Sequence, residues 1–262
     1  MKRYPLIAIT WLAFAAMFVV NILANYLPIN GLTSGEISEL FPNRFVPDDF
    51  TFSIWGIIYA WLLVFLGYST KVLLWVPAIN QRYQRVRSIL PLFWLSCLLN
   101  SIWLISWHYL HTGLCTIIIL ALLATLAPIF VRLQKVAATP RSTDYFLVEL
   151  PFMVYFGWTS VLTISSFIVF LVSSGWNCCN LWGVTCTIVL MALIILSALF
   201  MAYIKHRPAY SLVVAWALLG IYRRQSGVDS SVALVAIIGV ITCVGVSIPE
   251  LLSPKKGIKA GQ

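Results

Sequence analysis

The sequence predicts an all-α, polytopic transmembrane helix bundle of about eight spans, and three observations predict it. Of 262 residues, 61% are apolar and 10% charged, against roughly a quarter charged in an ordinary soluble domain; such a chain cannot cover itself with polar surface. Charged side chains are absent from 4–35, 50–70, 88–131 and 150–203, and each run reaches or exceeds the roughly 20 apolar residues that cross a hydrocarbon core about 30 Å thick. Finally, the basic residues fall unevenly between the spans. An inside N-terminus puts fourteen Lys and Arg on the cytoplasmic side and leaves only Arg44, Arg223 and Arg224 outside, the asymmetry that the positive-inside rule requires.

Taken in order, the spans lie near 5–27, 50–71, 88–109, 113–132, 146–172, 181–204, 208–222 and 230–250. The first follows only Lys2 and Arg3 and runs into Leu27-Pro28 without a small-residue cleavage site, so it reads as a span and not as a removed signal peptide. Between the first two, Thr33-x-x-Glu36 is a capping box ahead of Ile37, Leu40 and Phe41. It predicts a short amphipathic helix, either a lid over the bundle or an interfacial helix. Segments 72–87 and 133–145 read as ordinary basic connectors. The seventh span is short, 14 residues from Ala209 to Tyr222, or about 21 Å; a re-entrant hairpin is the alternative, but it worsens the charge asymmetry. Both termini are therefore expected in the cytoplasm of a multi-pass protein, with a bacterial plasma membrane as the setting.

The formal charge of +9 does not indicate nucleic acid, because the basic residues sit in short loops and not on one face of a globular domain. Six cysteines lie mostly inside apolar runs without CxxC spacing and read as small buried hydrophobes, with Cys178-Cys179 as the pair open to thiol chemistry. His108 and His111 read as interfacial histidines, and Glu149 as a solvated carboxylate with Arg141 or Arg132 as alternative partners. No intramembrane chain of ionisable residues suited to proton coupling appears.

Counting depth along each helix at 1.5 Å per residue brings Asn21, Trp55, Tyr59, Asn100, Trp103, Thr163, Ser165 and Ser166 into one layer, roughly 7–14 Å below the outer face. Within spans the spacing is helical. Phe52, Trp55 and Tyr59 form one stripe; Asn100, Trp103 and Trp107 a second; Pro151, Tyr155, Trp158 and Leu162 a third. A carboxamide at that depth must find partners inside the bundle. Aromatic walls with a few polar groups suit a planar amphipathic ligand, while helix packing accounts for the same residue types equally simply.

Three runs resemble a known family. Pro47-Asp48-Asp49-Phe50-Thr51-Phe52-Ser53-Ile54-Trp55-Gly56-Ile57-Ile58-Tyr59 resembles the Pro-Pro-Gly-Trp-x-Phe-x-x-Trp-x-x-x-Tyr entry to the second helix of the tryptophan-rich sensory protein family, also called the TspO/MBR or translocator protein (peripheral benzodiazepine receptor) family. Leu99-Asn100-Ser101-Ile102-Trp103 is similar to its Leu-Asn-x-x-Trp on the third helix, and Leu150-Pro151-Phe152-Met153-Val154-Tyr155 to its Leu-Pro-Tyr-x-x-Trp on the fifth. Asp48-Asp49 stands where the family has Pro-Gly, Phe50 where it has Trp, and Tyr155 where it has Trp.

The resemblance implies a five-helix unit over 1–175, followed by about three additional transmembrane helices in 176–262. It also implies a pocket under the first long loop that binds a porphyrin, a haem-like tetrapyrrole or a sterol. Carried over by motif, the pocket residues are Phe52, Trp55, Tyr59, Asn100, Trp103, Phe152, Tyr155 and Trp158, with Asn21, Thr163, Ser165 and Ser166 as a supporting polar layer. No catalytic or metal-ligating residue and no required cofactor is expected; porphyrin or haem would enter as ligand. The expected partners are a hydrophobic small molecule, the lipid bilayer and a second copy of the chain, without nucleic acid. The expected function is a non-enzymatic binding protein or sensor, with a facilitative transporter of a small amphipathic metabolite as the alternative.

Overall fold

The computed structural model describes residues 3–26, 29–135, 142–176 and 180–252. Cys178 and Cys179 lie outside the described residues. Nine α-helices account for most of it: α1 Arg3–Tyr26, α2 Ser34–Glu39, α3 Ile54–Trp75, α4 Gln81–His108, α5 Thr112–Lys135, α6 Leu150–Ser173, α7 Leu181–Leu199, α8 Pro208–Gln225 and α9 Ser230–Leu252. There is no strand among the described residues.

Seven of the helices are long and apolar enough to cross a membrane. The eighth pass is α8, which ends in Tyr222-Arg223-Arg224-Gln225 and so falls short on composition. Its contacts nevertheless run from one end of the bundle to the other. Arg207, its N-cap, meets Glu149 at 2.7 Å, and the Gly220 carbonyl accepts the Asp48 N–H at 3.1 Å. The hairpin alternative is thereby replaced by a full traverse. α8 is sheltered by the bundle over most of its length, which is why it can be less apolar than its neighbours.

In the ring formed by α1, α4, α5, α6 and α3, each helix packs on the next and α3 closes back onto α1. Outside it, α8 lies against α6, α9 against α8, and α7 against α9. Arg3, Lys71, Arg82, Arg85, Arg87, Arg132, Lys205 and Arg207 gather at one end, hereafter the basic end. Arg44, Arg223 and Arg224 lie at the other, hereafter the loop end, together with residues 29–53.

Two expectations are corrected at the basic end. Segment 72–87 is not all connector: Asn80 accepts the Arg82 N–H at 2.8 Å and starts α4 at Gln81, two turns before the charge-free stretch begins. Charges mark where a helix leaves the hydrocarbon, not where it stops. Glu149 is not solvated. It is 2% exposed and ion-paired to Arg85 and, at 2.7 Å, to Arg207, while Arg85 also donates to the Leu133 carbonyl at 3.2 Å. A π-turn, Tyr145–Glu149, leads into Pro151 of α6 and delivers Glu149 to this cluster.

Candidate ligand-binding site

The approach to α3 builds one wall. The Asp48 side chain accepts the Phe50 N–H at 3.3 Å and opens a single 3₁₀ turn, Asp49–Ser53, that runs directly into the helix. Phe52, Trp55 and Tyr59 then share one face. Trp55 and Tyr59 stack at 5.4 Å between ring centroids and 12° between planes. On α4, Trp103 and Trp107 stack at 6.4 Å and 17°, and Trp55 meets Trp103 at 6.1 Å. Behind Trp55 stand Trp158 at 6.3 Å and Tyr155 at 6.2 Å, both fully buried and edge-on to it. Edge-to-face contacts of this kind fix ring orientation as well as burying area.

These rings enclose a cavity of about 640 Å³. Its walls are Phe18, Asn21 and Ile22 of α1, Phe52, Ser53, Trp55, Gly56 and Tyr59 at the α3 entry, Trp103, Leu104 and Trp107 of α4, and Leu162, Ser165 and Ser166 of α6. Ser34 and Ser38 on α2 cover it from the loop end. A concavity of this size, largely apolar with a few polar groups, is of the kind that holds a small organic molecule.

One hydrogen-bonded chain crosses the floor. The Tyr59 hydroxyl donates to Asn21 Oδ1, and Asn21 Nδ2 donates to Asn100 Oδ1 at 3.0 Å and to the Met17 carbonyl at 2.9 Å. Asn100 is 0% exposed, so it braces the cavity without lining it. Trp103, on the lining, has its Nε1 buried and hydrogen-bonded to no protein atom. A buried donor lacking an acceptor at an apolar site favours a ligand that brings one.

The cover is fastened by His108 at the end of α4. Its Nδ1 lies 3.0 Å from the Ile29 carbonyl and its Nε2 3.2 Å from Ser34 Oγ. The carbonyl requires a proton on Nδ1, which leaves Nε2 to accept from the serine in the neutral ring. Asn30 Nδ2 donates to the His108 carbonyl at 3.1 Å, and Trp107 Nε1 to the Ser34 carbonyl at 3.3 Å. The capping box is present as expected, with Thr33 and Glu36 bonded reciprocally. The short helix is thus the lid of the two alternatives, and His108 is a structural clasp.

Of the residues picked out from sequence, Phe52, Trp55, Tyr59, Trp103, Asn21, Ser165 and Ser166 line the cavity. Asn100, Tyr155 and Trp158 form the layer behind it. Two fall elsewhere. Phe152 packs on Phe65 at 4.9 Å and Phe93 at 6.0 Å, because ten residues of α6 separate it from Leu162, about 15 Å of helix. Thr163 is half-buried and its hydroxyl returns to the Thr159 carbonyl at 2.8 Å. Phe18, Ile22, Ser34, Ser38, Trp107 and Leu162 join the lining. Of these, Phe18 and Trp107 were readable as helical neighbours of Asn21 and Trp103.

The remaining support comes from the C-terminal helices. Trp216 Nε1 donates to the Thr51 carbonyl at 3.0 Å, Phe50 packs edge-on to Trp216 at 5.1 Å, and the Arg223 guanidinium lies 4.5 Å from the Phe50 ring centre. Together with the bond between Asp48 and Gly220, these contacts tie α8 to the turn that carries Phe52.

Fold and site together define a polytopic helical membrane protein with an aromatic, lidded cavity near one end of a five-helix ring. The sequence model of the family described as TSPO-like protein matches residues 7–248, and the chain belongs to that family. The matched stretch takes in α7, α8 and most of α9 as well as the ring. No curated protein and no solved structure matches the chain.

Proposed function

We propose that the protein is a non-enzymatic membrane receptor that holds a planar hydrophobic ligand, a tetrapyrrole such as a porphyrin or else a sterol, between α1, α3, α4 and α6 beneath residues 34–52. The observation that carries this reading is the pair of near-parallel stacks, Trp55 on Tyr59 and Trp103 on Trp107, walling one cavity. Flat walls present aromatic faces to a flat ligand. Trp103 Nε1 and the serine hydroxyls of the lining offer hydrogen bonds to its polar edge. On this reading the basic end faces the cytoplasm, because cations concentrate there.

Tryptophan-fluorescence titration of the reconstituted protein with protoporphyrin tests the proposal. Saturable quenching in the parent, weakened about tenfold in Trp55→Ala, is the expected result, since a lost ring contact of about 1.4 kcal/mol is a factor of about ten in affinity. Equal, non-saturating quenching in both proteins would show that the ring cluster is packing alone. Net ligand flux across proteoliposomes would replace the receptor with a facilitative transporter.

A further inference from the structure

A second concavity, of about 440 Å³, lies between α3 and α8 with α6 at its back. Ile57, Trp61, Val154, Leu212 and Trp216 form its apolar walls. Ile57 is 51% and Leu212 37% exposed, and both sit within the helical length that crosses the bilayer, so the groove opens sideways onto hydrocarbon and not onto water. The bond from Trp216 to Thr51 stands at its loop end. From Pro208 to Trp216 the groove follows α8 for about 12 Å, within the roughly 15 Å over which an acyl chain extends in one leaflet.

Its other end is polar. α7 finishes in a π-turn, and the chain reverses through His206, whose φ of 53° is left-handed, so that His206 and Arg207 arrive on the rim. Arg85, Glu149 and Arg207 together carry one net positive charge, and Arg207 Nε is buried with no protein acceptor. Lys205, two residues before Arg207, is exposed, with its Nζ 5.5 Å from the Phe200 ring centre. Glu250, also on the rim, lies 3.0 Å from His206 Nδ1. An apolar slot in contact with lipid fills with a chain, and a cationic rim with an unused donor attracts a phosphate.

We propose that the groove between α3 and α8 is a structural lipid site, taking one acyl chain of an anionic phospholipid from the leaflet at the basic end, with its phosphate at Arg207 and Lys205. The site is separate from the aromatic cavity and does not depend on the ligand proposed there.

Native mass spectrometry of the full-length protein, titrated with phosphatidylglycerol and with phosphatidylcholine of the same chains, tests it. One phosphatidylglycerol should be retained per chain, about fivefold more tightly than phosphatidylcholine, the discrimination expected from roughly one basic residue at a membrane surface. Leu212→Trp fills the groove and should abolish retention. Lys205→Gln lies on the exposed surface, away from the buried ion cluster, and should remove most of the preference; unaltered melting and elution establish that each variant is folded. Equal retention of the two lipids, or phosphatidylglycerol retention unchanged in both variants, would overturn the proposal.

Discussion

Gly220 of α8 and Thr51 at the entry to α3 approach so closely that a Cβ on the glycine would fall 2.0 Å from Thr51 Oγ1 and 2.9 Å from Pro47 Cβ. Nothing larger than hydrogen fits. Gly220→Ala must therefore push α8 off the turn that carries Phe52 and Trp55, at a cost of about 1–3 kcal/mol typical of overpacking. Thermal unfolding should report that loss, and ligand titration should report weaker binding. Thr51→Ala, by removing the nearer atom, should restore part of both. Parent-like affinity in Gly220→Ala would show that the C-terminal helices do not position the cavity wall.

Asn21 and Asn100 are bound to each other across α1 and α4 at 3.0 Å, with Tyr59 completing the chain. A double-mutant cycle of Asn21→Ala and Asn100→Ala should give a coupling energy of about 0.6 kcal/mol, the average for interhelical hydrogen bonds in membranes, and no more than about 1.7 kcal/mol. Additive effects would mean that each amide is satisfied independently.

Glu149 neutralises one of two buried guanidinium groups and joins α4, α6 and α8. Glu149→Gln leaves both cations without a counter-charge and should destabilise the protein by about 3–5 kcal/mol. Arg82→Gln, whose partner Asp144 lies 3.1 Å away and whose own side chain is 62% exposed, should cost under about 1 kcal/mol. Comparing the two melting curves separates a structural ion cluster from a surface pair.

The Glu36 carboxylate is held below the ordinary carboxylate range, first by the Thr33 backbone N–H and then by the Thr33 hydroxyl. Because its folded pKa is depressed, the capping box contributes fully above the unfolded value of about 4.3 and is lost as pH falls through the lower folded value. A carbon-13 titration of the Glu36 carboxyl should show that lowered midpoint. In Thr33→Val, which keeps the larger backbone contribution and removes the hydroxyl, the midpoint should rise only part of the way to the ordinary range.

Much of this arrangement was legible in the residues. Trp55 with Tyr59, and Asn100 with Trp103 and Trp107, are spaced four or three apart, and helix geometry alone puts each set on one face. Depth counting then brought Asn21 to the same layer. It could not say which side chains line a cavity and which stand behind it, because that depends on helix rotation: Asn100 and Tyr155 turn inward to each other's helices, and Phe152 lies too deep. Long-range partners were hidden for a different reason. The cations on Glu149 come from the starts of α4 and α8, not from the neighbouring connector. Trp216 and Gly220 look like ordinary residues of a short apolar helix until Thr51 is seen against them.

The most direct measurement is an experimental structure of the protein saturated with protoporphyrin in lipid. Ligand density is predicted against Trp55, Tyr59, Trp103 and Trp107, under Ser34 and Ser38, with the lid still clasped to His108. Density confined to the lipid-facing surface, with the space between those four rings filled by their own side chains, would contradict the account.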